Sequence, residues 1–136
     1  MTRFPDWEQR LDREIRAAAS RVFAWGVFDC VLFPADCVLA MTGHDPAAEW
    51  RGRYSDEAGA RRLMAEAGGL PGLADRAGLA RLPTWRFGRR GDAVLLRVAG
   101  NDSLGIVDLS GQSIVAATFR GTVRVPIAKS LQAWRI

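Results

Sequence analysis

The pattern of the chain changes at residues 91–98, which read GDAVLLRV. Three further apolar segments follow, and pairs of residues that favour tight turns lie between them: segments 104–109, 113–119 and 122–125, with Ser110-Gly111 and Arg120-Gly121 at the junctions. Short apolar runs separated in this way are typical of strands joined in hairpins. We therefore predict an antiparallel β-meander or small barrel in the C-terminal part of the chain.

The N-terminal part has helical periodicity instead. Trp7, Leu11 and Ile15 recur at a spacing that places them on one helix face, which predicts an amphipathic helix over 6–20. Other segments predict shorter elements: helices over 56–67 and 70–77, a turn or short helix over 47–53, and a closing helical turn over 128–133. Helices first and antiparallel strands afterwards predict an α+β fold, with N-terminal helices packed on a C-terminal sheet.

The apolar run 31–41 predicts a buried helix that ends at Gly43, a residue typical of helix C-termini. Its start is ambiguous because of Pro34. Either Asp29 caps the helix and Pro34 falls just past the first turn, or the helix starts near Phe33 with Pro34 at its first position. The residue pattern is compatible with both.

Length and composition indicate one globular domain over 1–136. The chain is 49% hydrophobic and 25% charged, which is ordinary for such a domain. No apolar run approaches the roughly 18 residues that a membrane span requires, so no membrane contact is predicted. The first residues are charged and amphipathic, so we expect no signal peptide and a location in the cytoplasm, unless the protein leaves as part of an assembly.

The net charge of +4 comes almost wholly from arginine. The arginines are scattered among 15 acidic residues, which makes a nucleic-acid interface an unfavoured interpretation. Segment 85–90 mixes aromatic and basic residues, and we expect Trp85 and Phe87 to dock this loop while Arg89 and Arg90 face solvent or a protein partner. Trp50 is predicted, with Trp85, to be an exposed anchor for a partner.

Two cysteines, Cys30 and Cys37, lie seven residues apart. On one helix their Cα atoms would be about 10 Å apart, too far for a disulfide. The spacing does not suit zinc either, and the chain contains a single histidine. We predict no disulfide, no metal and no cofactor.

Trp25-Gly26 followed by Asp29-Cys30 is the strongest chemical signal in the chain. A thiol at the start of a helix feels the positive end of the helix dipole, which favours the nucleophilic thiolate. A catalytic cysteine also needs a histidine to accept its proton. The alternative interpretation is that the cysteines are small buried residues of the core.

These residues resemble the nucleophile segment of the NlpC-type peptidases, a papain-like family that cuts peptide links in bacterial cell walls and also occurs in phage tails. Residues 90–95 resemble that family's glycine-aspartate strand opening, and 104–117 resemble its histidine-containing hairpin. The whole arrangement from Phe4 to Arg135 is also similar to a small family of uncharacterised proteins encoded among the tail genes of phages, prophages and gene-transfer agents. The resemblance implies a papain-like scaffold with other tail or baseplate proteins as partners.

The sequence also departs from the pattern of the peptidase family. Ser103 occupies the position of the family's histidine and cannot act as a base. His44, the only histidine, follows Cys30 by fourteen residues, about 20 Å along a helix, whereas proton transfer needs about 3 Å.

Cys30 is therefore expected to be an inactive nucleophile, with Trp25 and Asp29 beside it as candidate cleft contacts. We predict a pseudoenzyme that serves as a virion structural or tail-assembly protein of the tail tip or baseplate and passes from the cytoplasm into the tail. The alternative is a peptidase or amidase that acts on peptidoglycan through Cys30.

Overall fold

The structure, a computed structural model, describes residues 1–136. It contains four α-helices: α1 Trp7–Ala18, α2 Leu32–Thr42, α3 Glu57–Ala67 and α4 Gly69–Arg76. Six strands follow from the end of α4: β1 Ala80–Arg81, β2 Ala93–Val98, β3 Asn101–Val107, β4 Ser113–Thr118, β5 Gly121–Pro126 and β6 Gln132–Arg135. The predicted α+β class is confirmed.

The strands form one sheet in the order β1-β6-β2-β3-β4-β5, and every neighbouring pair is antiparallel. The order departs from a simple meander because β6 lies between β1 and β2. The predicted helical turn over 128–133 is wrong for most of its length: a 3-10 turn covers Ile127–Lys129, and the chain then extends into β6. Pairing with both β1 and β2 satisfies the backbone of β6, which a sequence-local pattern does not reveal.

The start of α2 lies between the two alternatives. The helix begins at Leu32, so Pro34 is in its first turn, where a backbone N–H would have no helical partner to lose. The Asp29 carboxylate accepts hydrogen bonds from the backbone N–H groups of Val31 and Leu32, each at 2.9 Å. Asp29 therefore caps the helix from outside it. The helix ends at Gly43, as predicted.

The sheet separates two hydrophobic clusters. The larger one fills the space between the helices and one sheet face, and it includes Leu11, Phe28, Phe33, Ile106 and Trp134. The smaller one lies on the other face, where strand residues alternate with those of the first: Val94, Leu96, Val107, Ile114, Ala116 and Ala133. Burial on both faces explains why β2 reads as a continuous apolar run. None of the helices has the length and apolar character needed to cross a membrane.

Candidate functional site

The segment before α2 folds back on itself in a tight loop around Gly26. Ala24 and Phe28 exchange both backbone hydrogen bonds at 2.9 Å, and Gly26 between them has a φ of +81°. A Cβ at Gly26 would lie 2.2 Å from the backbone oxygen of Tyr54, closer than any side chain permits. Only glycine satisfies both the left-handed backbone and this close approach.

Asp29 holds the loop together from inside the protein. Its side chain is completely buried and accepts four hydrogen bonds, from the N–H groups of Gly26, Val31 and Leu32 and from the hydroxyl of Tyr54. Four donors compensate the cost of burying a carboxylate. Asp29 is therefore a structural residue that positions Cys30, and its buried carboxylate does not make the cleft or partner contact predicted from the sequence.

Cys30 emerges from this loop into a cleft of about 330 Å³. Trp25 and Ser103 line the same cleft, so the structure brings together three of the residues singled out in the sequence. Ala117 of β4 lies there too. The nucleophile-like segment and the two strands that resemble the hairpin thus meet at one place, although they are more than 70 residues apart in the chain.

The Cys30 thiol is not activated. Burial raises its pKa to about 12, and the neighbouring Asp29 carboxylate acts in the same direction. A backbone hydrogen bond opposes the shift without offsetting it. The expectation that a helix N-terminus would favour the thiolate is wrong, because α2 begins two residues after Cys30 and the partial burial of this residue disfavours the charged form.

No imidazole lies in the cleft. Ser103 is 4% exposed, and its hydroxyl donates to the backbone oxygen of Leu104 at 3.1 Å. Glu57 and Arg61 also line the cleft, but they pair with each other at 2.8 Å. His44 lies in an exposed turn beyond the far end of α2 and is not among the cleft residues. Asp102 lines the cleft too and pairs with Arg97 at 3.1 Å. The cleft therefore contains a thiol and no imidazole, and both of its carboxylates are paired with arginines.

Three aromatic side chains form a rim at the mouth of the cleft. Phe23 contacts Trp25 and Phe119 with ring centroids 5.0 and 4.5 Å apart, and Trp25 lies 5.9 Å from Phe119. Phe119 is 70% exposed. The predicted strand 113–119 includes Phe119, whereas the residue lies in the turn between β4 and β5. The turn-favouring pair Arg120-Gly121 directly after Phe119 could have indicated this exposed position, because residues at the tip of a turn point away from the core.

The remaining candidates lie elsewhere. Trp50 is 7% exposed and packs in the main core, so the prediction that it is an exposed anchor is wrong. Its turn folds back over α2, and the indole lines a small apolar cavity with Leu73 and Ala74. Trp85 is half-buried against the smaller cluster, as expected for a docking residue and not for an exposed anchor. The prediction that Phe87 docks the same loop is wrong, because its side chain is 58% exposed and lies outside that cluster. Arg89 and Arg90 are exposed near the start of β2, whereas the cleft lies at the end of that strand.

The fold and the cleft define this protein as a small α+β domain with a cysteine in an aromatic-rimmed cleft that contains no histidine. A family model described as a domain of unknown function (DUF6950) matches residues 2–136, and the chain belongs to that family. No curated protein and no solved structure matches the chain.

Proposed function

We propose that this protein is a non-catalytic component of a phage-type tail, either a structural protein of the tail tip or baseplate or an assembly factor for that region. It uses a degenerate papain-like scaffold of the NlpC type as a binding module. The assignment to a tail rests on the resemblance of the sequence to proteins encoded among tail genes. We expect the protein to act first in the host cytoplasm and then in the virion tail.

One observation carries the non-catalytic part of the proposal. Cys30 and Ser103 line one cleft that contains no imidazole, and its two carboxylates, Glu57 and Asp102, are each paired with an arginine. Cysteine catalysis requires the thiolate, and a half-buried thiol with a pKa near 12 supplies almost none of it. A scaffold that keeps the nucleophile position but lacks the base is suited to binding and not to hydrolysis.

The aromatic rim supports a role in protein binding. Phe23, Trp25 and Phe119 contact each other at the mouth of the cleft, with Trp25 edge-to-face against both phenylalanines, and the Phe119 ring remains mostly in contact with water. Clustered exposed aromatic residues are typical of the centre of protein interfaces, where their burial contributes most of the affinity. In this proposal the rim and the cleft together contact another tail or baseplate protein.

Complementation of a gene deletion tests the proposal. Deleting the gene from the phage or prophage that encodes it should reduce the yield of tailed particles, and the wild-type protein should restore that yield. Cys30→Ala should restore it as well, because the thiol has no chemical role. Phe119→Ala should fail to restore it while remaining folded, because the exposed ring contributes to binding and not to the core.

Two outcomes would overturn the proposal. The first is absence of the protein from both purified particles and tail-assembly intermediates, as measured by mass spectrometry. The second is a folded Cys30→Ala variant that fails in complementation while the purified wild type releases products from peptidoglycan fragments. That second outcome would instead support the alternative in which Cys30 is the nucleophile of a cell-wall peptidase.

A further inference from the structure

A second concave surface lies near the start of β2, at the opposite end of that strand from the Cys30 cleft. It has a volume of about 560 Å³. We call it the arginine groove, and these residues line it: Arg3, Trp7, Arg89, Arg90, Gly111, Arg135 and Ile136. Four of the seven lining residues are arginines, brought together from both ends of the chain and from the loop before β2.

Asp92 holds two of these arginines in place. Its carboxylate is completely buried and lies 3.1 Å from Nη2 of Arg3 and 2.9 Å from Nε of Arg135. Arg3 also donates to the backbone oxygens of Arg90 and Ile136, at 2.8 and 3.0 Å. Its guanidinium lies 4.2 Å from the centre of the Trp7 ring. The guanidinium groups of Arg3 and Arg135 are thus fixed in position before any ligand arrives.

The other two arginines are exposed and largely free to bind. Arg90 pairs with Glu8 at 3.0 Å through one nitrogen, and the side chain of Arg89 makes no hydrogen bond or ion pair. A guanidinium offers more N–H donors than one partner uses, so both residues have donors to spare.

The groove has an excess of positive charge. Two carboxylates, Asp92 and Glu8, face the four guanidinium groups, which leaves an excess of two positive charges. A carboxylate at Ile136 would still leave an excess of one. Burial lowers the pKa of Arg3; the Asp92 carboxylate opposes this shift, and the nearby charges of Arg135 and Arg90 add to it.

We propose that the arginine groove binds side-chain carboxylates of an acidic peptide segment in a partner protein. Arginine pairs with planar carboxylates through two parallel hydrogen bonds, and fixed guanidinium groups lose little freedom on binding. A duplex nucleic acid would require bases that follow its backbone over a longer path, whereas this groove is compact and the other arginines of the chain are mixed with acids. The site is separate from the aromatic rim, so it does not depend on the proposed role of the cleft.

Fluorescence anisotropy with a labelled hexapeptide of alternating Glu and Asp tests the inference on the full chain. The wild type should bind this probe at low ionic strength and bind a Gln/Asn peptide of the same length much more weakly. Binding should weaken as salt is added, because exposed charges are screened. Arg89→Gln combined with Arg90→Gln should weaken binding at least about tenfold, by the loss of two charge-assisted contacts. Apart from the exposed pair of Arg90 with Glu8 and the position of its guanidinium 5.5 Å from the centre of the Trp7 ring, these two side chains make no hydrogen bond or ion pair within the protein.

Arg62→Gln combined with Arg76→Gln is the matched control, because both residues are exposed, neither makes an ion pair, and the change in net charge is the same. This control should bind like the wild type. The inference is overturned if the two double variants lose affinity equally, or if the wild type does not bind the acidic peptide at low salt. It is also overturned if a single-stranded oligonucleotide of equal charge binds the groove more tightly than the peptide, or if inorganic phosphate displaces the peptide at concentrations where acetate does not. Circular dichroism of every variant checks that the fold is intact.

Discussion

The hydroxyl of Tyr54 donates a 2.6 Å hydrogen bond to the Asp29 carboxylate, across 25 residues of chain. The backbone oxygen of the same tyrosine lies against Gly26. Tyr54 therefore supports the loop over residues 24–30 at two points, through Gly26 and through Asp29. The pKa of Tyr54 is raised, mainly by burial and then by this hydrogen bond, so the hydroxyl remains a donor throughout the physiological range.

Tyr54→Phe should destabilise the protein by about 1–3 kcal/mol, because it removes one of the four donors to a buried carboxylate and leaves an oxygen less satisfied. Urea unfolding followed by tryptophan fluorescence measures the change. The ring itself is retained, so lost packing does not contribute. A change below about 0.5 kcal/mol would mean that water replaces the hydroxyl and that the loop does not depend on it.

Gly26→Ala should be more costly than the same change at an open glycine with a similar backbone. At Gly26 the new methyl group would meet the Tyr54 backbone oxygen, whereas Gly52 has a φ of +78° and nothing within 4 Å of the added carbon. Backbone strain of about 1 kcal/mol is common to both positions. We expect Gly26→Ala to exceed Gly52→Ala by at least about 2 kcal/mol in urea unfolding. Equal losses would show that the close approach relaxes without cost.

Cys30 should react slowly with iodoacetamide at neutral pH. Its pKa is raised from 9.0 to about 12, mainly by burial, so the thiolate fraction at pH 7 is lower than that of an ordinary thiol by about a thousandfold. Since the thiolate is the reactive form, the rate should still rise by about tenfold per pH unit between pH 7 and pH 10. Mass spectrometry of the Cys37→Ala variant reports on Cys30 alone.

Glutathione provides the reference, because its rate levels off near the ordinary thiol pKa. A labelling rate for Cys30 that is already constant at neutral pH would contradict the raised pKa. That result would support the peptidase alternative.

Asp92→Asn should destabilise the fold by about 3 kcal/mol or more, since it leaves Arg3 and Arg135 without their buried counter-charge. The same carboxylate accepts hydrogen bonds from the backbone N–H groups of Arg89 and Ile136, at 2.9 and 3.0 Å. Asp92 therefore joins both ends of the chain to the start of β2. Denaturant unfolding measures the loss.

Asp12→Asn is the control, because Asp12 forms an exposed pair with Arg16 one helical turn away. That pair should contribute no more than about 0.5 kcal/mol. Similar effects of the two substitutions would contradict the structural role of Asp92.

Local patterns in the sequence predicted most of the elements. The spacing of Trp7, Leu11 and Ile15 predicted α1, and glycines ended α2 and α3 where expected. The two-residue β1 and the four-residue β6 were not predicted, because strands this short exist only through pairing with distant segments. β2 was predicted because its burial on both faces gives it an apolar run that is visible in the sequence alone.

The site was only partly predictable for the same reason. Cys30 and Ser103 were identified from their sequence context, and they do share a cleft. Phe119 was missed because a strand-like pattern continues to the tip of its hairpin. The burial of Trp50 could not be inferred because it depends on how its turn folds over α2. The pairing of Asp92 with Arg3 and Arg135 could not be predicted, because the two arginines are 132 residues apart in the sequence.

Ser103→His tests whether the serine occupies the position of a catalytic base. An imidazole at this wall of the cleft would share the thiol proton of Cys30 and favour the thiolate–imidazolium pair over the neutral thiol. The pKa of Cys30 should then fall, and labelling by iodoacetamide at pH 7 should accelerate by at least about tenfold. Ser103→Asn is the matched control, because asparagine adds similar polar bulk to this buried position without a basic nitrogen.

Comparing the two variants separates the effect of a basic imidazole from a change in the accessibility of the Cys30 sulfur. Either side chain could loosen the cleft wall and expose the sulfur, so equal acceleration in both would report access alone and would count against the proposed position of the base. Acceleration in Ser103→His only, with a pH profile that levels off near the imidazole pKa instead of rising steadily, requires an imidazole in contact with the thiol. A folded Ser103→His variant that labels no faster than Ser103→Asn would mean that the hairpin does not superimpose on that of the peptidases. The papain-like interpretation of this cleft would then fail.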